Sequence, residues 1–229
     1  MGRAMRERSD EAACAALRER LVDGLADRGY ITDPAVLAAM KAVRRHLFVP
    51  ERNRADAYID RPLDIGEGQT ISAPHMVGIM AEKLDLRPGQ KVLEIGGGSG
   101  YHAAVVAHLV GPSGRVYSVE RLPALADRAR KSLEEAGCSK VVTMVVGDGT
   151  LGLPEHAPYD RIFVAAASPG IPPPLFAQLR EGGKMLVPVG EVYAGQELVM
   201  VEKRSGRPVT TEHGGCVFVP LIGEHGFRR

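Results

Sequence analysis

Residues Lys91 to Tyr101 read KVLEIGGGSGY. A short apolar, β-branched run (Val92, Leu93, Ile95) carries an acid, Glu94, one residue before its last apolar position. Glycines crowd the positions that follow, and then comes the helix-like segment Tyr101 to Val110, YHAAVVAHLV. Strand, glycine loop and helix in that order are the pattern of a βα turn that holds a nucleotide. Glycine lets a ligand approach the main chain where any Cβ would stand in the way. The helix start beyond it presents unpaired N–H groups and a partial positive charge, which suits a carboxylate or a phosphate.

Two registers fit the loop. From Glu94 it reads E-x-G-x-G-x-G through Gly96, Gly98 and Gly100, which resembles the loops of S-adenosylmethionine-dependent methyltransferases. From Gly98 it reads G-x-G-x-x-A to Ala103, a dinucleotide pattern. The second register strands Gly96 and Gly97 in the end of a β-strand, where glycine has little reason to be. The loop favours the first register and by itself settles neither.

Working outward, the length predicts one domain with a generous core. Lys and Arg total 29 against 28 Asp and Glu, so no strongly charged face advertises nucleic acid or an anionic membrane as a partner. Cys14, Cys138 and Cys216 are far apart and form no C-x-x-C, as expected of reduced thiols, and no metal is expected. The opening MGRAMRERSD has no apolar signal core, and Arg6 stands where a myristoylation motif wants Ser or Thr. No apolar run approaches the roughly 20 residues of a membrane span. The expectation is a cytoplasmic monomer.

Before the loop, Ser9 or Asp10 could cap a helix from Glu11 to Arg28 that stops at Gly29. Asp33-Pro34 starts a second helix with Val36, Leu37, Met40 and Val43 on one face. Arg44, Arg45 and His46 read as its solvated basic last turn, and Leu47 to Asp64 as irregular. In GEGQTISAPHM, Gly66 to Met76, Ser72 reads either as the cap of a helix opening at Pro74 or, with Thr70, as a pocket wall. Beyond the loop, strands at 115–119, 141–146, 159–167 and 184–189 alternate with helices at 122–136 and 175–179. That alternation predicts a mainly parallel α/β sheet with ligands at the carboxyl ends of its strands, where Glu94, Glu120 and Asp148 fall. Gln196 to Lys203 and Val209 to Leu221, joined by Ser205-Gly206-Arg207-Pro208, predict an antiparallel C-terminal hairpin.

GEGQTISAPHMV followed by VLEIGGGSGYHAAVVA resembles the protein-L-isoaspartate (D-aspartate) O-methyltransferase family. The similarity continues through VYSVER, GDG, PEHAPYDRI and PVG, with HLFVPE near the start and VFVPL near the end, and covers about Leu17 to Leu221. One departure stands out: Gly97 occupies a position where the family usually shows Thr or Ser. The resemblance implies a Rossmann-like, doubly wound, mainly parallel sheet with N-terminal helices and a C-terminal antiparallel hairpin. It implies one methyltransferase domain over residues 1–229, with a helical and substrate-loop region (1–90), a cofactor core (91–190) and a hairpin with tail (191–229).

The resemblance also assigns roles. S-adenosyl-L-methionine, leaving as S-adenosyl-L-homocysteine, would lie against Glu94, Gly96, Gly98, Gly100, Glu120, Arg121, Asp148 and Gly149. Glu120 would accept the ribose hydroxyls, Asp148 the adenine amino group with the Gly149 N–H on the ring, and Glu94 the methionine ammonium. Ser72 would orient the isoaspartyl carboxylate, with Thr70, Ile71, His75 and Val219 lining the peptide site. The partners would be damaged proteins and flexible peptides bearing isoaspartate. Three rival readings stand beside this one: methylation of a normal aspartate in a dedicated peptide, an NAD-dependent oxidoreductase using the Gly98 register, and a binding module that has kept only the fold.

Overall fold

The computed structural model describes residues 2–192 and 194–228, with side chains from residue 11 onward. Helices α1 (Gly2–Asp27) and α2 (Pro34–Ala42) lead the chain. Because α1 begins before Ser9 and Asp10, neither residue marks its start, and their side chains lie outside the described residues. Asp33 caps α2 as expected, accepting from the Ala35 N–H at 2.7 Å, and Pro34 opens it. The basic turn beyond α2 is not solvated: Arg45 and His46 are buried in a 3-10 turn, Arg45–Phe48. Arg45 finds main-chain acceptors inside the protein, so its charge need not reach water.

The stretch read as irregular ends in a small hairpin. Strand β1 (Leu63–Gly66) pairs antiparallel with β2 (Gln69–Ile71), and both turn residues, Glu67 and Gly68, have positive φ. Helix α3 (Pro74–Lys83) has Ala73 at its N-cap with no side-chain capping bond, so Ser72 is not the cap. That frees the Ser72 hydroxyl from helix duty.

The chain then alternates through β3 (Lys91–Ile95), α4 (Tyr101–Val110), β4 (Arg115–Glu120), α5 (Pro123–Glu135), β5 (Val142–Val146), β6 (Tyr159–Val164) and α6 (Pro173–Gln178). Strand β7 (Leu179–Glu191) starts directly at the end of α6, five residues earlier than expected, while β6 ends three residues short of Ala167. Strands β8 (Ala194–Arg204) and β9 (Arg207–Cys216) complete a sheet of order β5-β4-β3-β6-β7-β8-β9. It is parallel from β5 to β7 and antiparallel from β7 to β9. The β8–β9 turn falls at Ser205-Gly206, as the sequence predicts.

The VFVPL segment, Val217 to Leu221, does not continue β9. It leaves the ladder and crosses to the carboxyl end of β6, where the Ala167 N–H donates to Val219 O at 2.8 Å and the Leu221 N–H to Ala167 O at 2.7 Å.

Alternation along the strands puts apolar side chains on both faces. Val92 packs with residues of α1 to α5, while Leu93 and Ile95 face Leu153, Leu175 and Leu179 on the other side. No helix among the described residues is long and apolar enough to cross a membrane.

Candidate active site

The sheet runs outward from β3 through β4 to β5, then resumes on the other flank with β6, so a crevice opens between the carboxyl ends of β3 and β6. The glycine loop lies in that crevice and is tied on both sides. Gly96 and Gly97 N–H groups donate to Val119 O at 2.9 and 3.1 Å, and the Ala165 N–H donates to Ile95 O at 2.8 Å. Gly100 is the N-cap of α4 at φ +85, a conformation L side chains avoid, and a Cβ there would stand 3.2 Å from Leu133 Cγ.

Three acids ring the crevice, each in a different state. Glu94 is 1% exposed; its Oε2 accepts from Ser118 Oγ at 2.5 Å, and its Oε1 has no partner. Burial pushes its carboxyl up to about 8, against the Ser118 hydrogen bond and aided by the charge of Glu120. Glu120 is buried too, and accepts from the Gly98 N–H on Oε2 and the Leu122 N–H on Oε1, each at 2.9 Å. Every oxygen so engaged keeps a lone pair for a ligand. Asp148 accepts from Thr150 N and Oγ1 on Oδ1, and from the Glu224 N–H on Oδ2 at 2.9 Å. Burial alone would raise Asp148, but these hydrogen bonds, that of Glu224 foremost, hold it below the usual carboxylate range.

Three cavities meet here, and Thr70 and Ala165 border all of them. The first runs past Gly96, Gly98, Glu120, Arg121, Gly149 and Val219. The second, about 580 Å³, is walled by Ser72, His75, Phe218 and Val219. A third, about 40 Å³, lies between the loops and is bordered by Ile71, Ser72, Glu94 and His102. The sequence-predicted residues thus converge on one junction, with two exceptions. Gly100 and Asp148 border none of the three cavities.

The substrate-side wall is braced from behind. Arg45 Nη2 donates to Ser72 O at 2.9 Å and Nε to Ala57 O at 3.0 Å, while the guanidinium lies 4.8 Å from the centre of the Tyr101 ring. Burial pulls Arg45 down to about 10, which leaves it charged at neutral pH. His75 is oriented by Asp60, whose Oδ1 lies 2.9 Å from both His75 Nδ1 and His75 N. Gln196 grips Phe218 at both main-chain groups, accepting from its N–H at 2.6 Å and donating to its O at 3.1 Å.

Sequence reading missed Arg45, Ser118, His102, Ala165 and Gln196. Only Ser118 left a legible trace: a polar residue two before Glu120, on the strand face that should be apolar. Among the described residues no group of three or more His, Cys, Asp or Glu side chains is placed to hold a metal.

A mainly parallel sheet with an acid–glycine loop at its switch point, buried acids at successive strand ends and an antiparallel C-terminal hairpin defines an S-adenosylmethionine-dependent methyltransferase. The sequence profile of the protein-L-isoaspartate(D-aspartate) O-methyltransferase family matches residues 16–226. The chain belongs to that family. It is 57% identical over 220 residues to a protein-L-isoaspartate O-methyltransferase of Methanopyrus kandleri, covering 96% of this chain and 97% of the relative. With that of Hyperthermus butylicus it shares 54% identity, covering 96% and 94%. Its fold is similar to that of a Plasmodium falciparum beta-aspartate methyltransferase in complex with S-adenosyl-L-homocysteine, with a TM-score of 0.81 and 27% identity over 90% of this chain and 98% of the other. Membership decides the register of the glycine loop for the one read from Glu94 and removes the oxidoreductase reading.

Proposed function

We propose that Ser72 and the loop around it present an L-isoaspartyl carboxylate to S-adenosylmethionine, so that the chain methylates damaged proteins and starts their repair. One observation carries this reading: the Ser72 loop and the acid–glycine loop share a junction, with Thr70 and Ala165 on the walls of both. The residues fit the cofactor. Glu94 keeps an unpartnered buried oxygen, Glu120 offers two oxygens with lone pairs to spare, and Gly96 and Gly98 border both the cavity at Glu120 and the one at Glu94. S-adenosylmethionine would be held by Glu94, Gly96, Gly98, Glu120, Arg121 and Gly149, and would supply a methyl group made electrophilic by its sulfonium. Asp148 and Gly100 contribute by shaping the loops on either side.

An isoaspartyl carboxylate, with an ordinary pKa of roughly 4, is already a nucleophile at neutral pH and needs no general base. The protein's task is placement, worth roughly 7–11 kcal/mol when geometry is good. Ser72 Oγ donates to one carboxylate oxygen and leaves the other free to attack. Its main chain is fixed by Arg45, so the hydroxyl is presented from a braced position. The peptide lies extended in the larger cavity against Val217 to Val219, where main-chain contacts tolerate varied sequence. Once esterified, the substrate closes on itself: the neighbouring amide nitrogen bonds to the ester carbonyl carbon, methoxide leaves and takes up the amide proton as methanol, and hydrolysis of the succinimide returns some normal aspartate.

We read residues 1–229 as one methyltransferase domain, monomeric and cytoplasmic, with no nucleic-acid or membrane partner. The D-aspartyl activity in the family's name is part of the same proposal. Labelled methyl transfer to matched Asp and isoAsp peptides tests it. Base-labile label on the isoAsp peptide alone supports repair; label on the Asp peptide assigns the chain to dedicated peptide modification instead.

A further inference from the structure

Two buried polar atoms near the junction have no partner in the protein, and they belong to neighbouring side chains. Glu94 engages Oε2 with Ser118 and leaves Oε1 unpaired. His102, in the first turn of α4 and 8% exposed, has no partner at Nε2. A buried polar group left unpaired has lost its water and gained nothing in return, so two of them beside one cavity point to a ligand group that answers both.

Sheet register sets the two side by side. Ser118, Glu94 and Phe163 are direct partners across β4, β3 and β6, and therefore project from the same face of the sheet. Neighbouring members of such a row are about 4.8 Å apart. The His102 ring packs on Phe163, with 4.3 Å between ring centroids, and so stands over that row next to Glu94. Both residues border the cavity of about 40 Å³ between the Ser72 loop and the glycine loop. That volume exceeds the 10–15 Å³ or so needed for one water-sized group.

The donor and acceptor inventory names the group. Glu94 gives up its proton when a cation lies beside it and then only accepts, and burial holds His102 neutral by pushing it down to about 3. With its proton on Nδ1, a neutral imidazole presents an acceptor at Nε2. A small group that satisfies both acceptors carries several N–H donors on one atom, which describes an ammonium. We propose that His102 Nε2 and Glu94 Oε1 form a two-point acceptor for the α-ammonium at the methionine end of the cofactor. This rests on the cofactor reading above and adds to it a residue outside the acid–glycine motif.

Calorimetry with two ligands tests it: S-adenosylhomocysteine, and 5′-methylthioadenosine, which lacks the amino-acid end. His102→Phe keeps a ring on Phe163 and removes both nitrogens, while His102→Gln returns a side-chain acceptor. His102→Phe should weaken S-adenosylhomocysteine binding about tenfold and leave methylthioadenosine within twofold, with His102→Gln in between. Methylthioadenosine binding doubles as the control for folding. Unchanged S-adenosylhomocysteine affinity in both variants would overturn the proposal, since the nitrogen would then hold at most a water. Equal losses for both ligands would overturn it by making His102 structural. Unchanged S-adenosylhomocysteine affinity with a raised KM for peptide would assign Nε2 to the substrate carboxylate instead. If the unaltered protein bound neither ligand, the cofactor reading would fail first.

Discussion

Arg45 and Ser72 lie 27 positions apart in the chain, yet the guanidinium of one holds the carbonyl of the other over 2.9 Å. The same guanidinium rests against Tyr101, the first residue after the glycine loop, so one buried cation joins the substrate-side and cofactor-side loops. Replacing it with Met leaves two buried carbonyls unpaired, at about 1–3 kcal/mol each. Arg45→Met should therefore lower Tm by several degrees. Arg45→Lys, which keeps the charge but not the fork, should fold and lose turnover. Thermal melts and steady-state kinetics on an isoAsp peptide read both effects.

Ser72→Ala removes one hydrogen bond to a charged group, worth about 1.5–3 kcal/mol. Turnover should fall roughly 10- to 150-fold, while S-adenosylhomocysteine affinity by calorimetry stays within twofold, because the contact proposed for its hydroxyl is with the substrate carboxylate. Parallel losses in both would remove Ser72 from its orienting role.

Glu120→Ala and Asp148→Ala should part company. Glu120 borders the cofactor cavity and ties down Gly98, so its loss should weaken S-adenosylhomocysteine at least tenfold. Asp148 is engaged by Thr150 and Glu224, so Asp148→Ala should act chiefly by loosening the chain after Ile222. Hydrogen exchange over 223–226 should rise in that variant and stay flat in Glu120→Ala. Weakened S-adenosylhomocysteine binding in Asp148→Ala with exchange over 223–226 unchanged would return Asp148 to the adenine contact.

The burial of Glu94 makes two pH predictions. Folding holds its proton to about 8, above the ordinary 4.5, so the folded protein binds more protons than the unfolded chain between those values. Stability of the ligand-free protein should fall as pH rises from 4.5 towards 8 and level off above, a slope that Glu94→Gln removes. Ser118 and Glu120 from β4 and neutral His102 from α4 are the polar groups facing it, so the proton is Glu94's own. An ammonium placed beside it favours the carboxylate, and S-adenosylhomocysteine binding at pH 7 should release close to one proton. Calorimetry in buffers of different ionisation enthalpy counts it, and Glu94→Gln should release none.

Gly97 and Ser118 form a matched pair. A Cβ on Gly97 would come within 2.3 Å of Ser118 Oγ, although the backbone at Gly97 is not in the left-handed region. Gly97→Ala should cost about 1–3 kcal/mol from overpacking. Ser118→Ala should cost a similar amount by depriving Glu94 of its donor. The double variant should be less destabilised than the sum, because the first clash disappears with the hydroxyl. Additive losses in urea unfolding would separate the two positions.

The parallel sheet, the glycine loop and the Thr70–Ser72 stretch were legible because each rests on local pattern. Periodicity marks β3 to β6, glycine marks the loop, and turn residues mark the β8–β9 hairpin. What escaped depends on partners far along the chain. Nothing around Arg45 announces that Ala57 and Ser72, 12 and 27 positions on, will supply its acceptors. Strands β1 and β2 are too short for their alternation to register, and Glu-Gly is a weaker hairpin sign than Asn-Gly. Pro74 at the first helical position makes Ala73, not Ser72, the cap of α3. Asp148 stands at a strand end as expected; its ties to Thr150 through Oδ1 and to the Glu224 N–H through Oδ2 depend on how the chain turns afterwards and left no local sign.

The segment from Val217 to Ile222 forms a wall of the large cavity with its first three residues and of the cofactor cavity from Val219 onward. In the proposed complex, a shift of this segment at Phe218 to fit the peptide would carry Pro220 and Leu221 with it against the nucleoside, and a shift to fit the nucleoside would reach the peptide in the same way. Linkage makes the exchange even: whatever factor the cofactor adds to peptide affinity, the peptide adds to cofactor affinity. A spent nucleoside held behind a filled peptide groove would then leave slowly, and release of one product would pace release of the other.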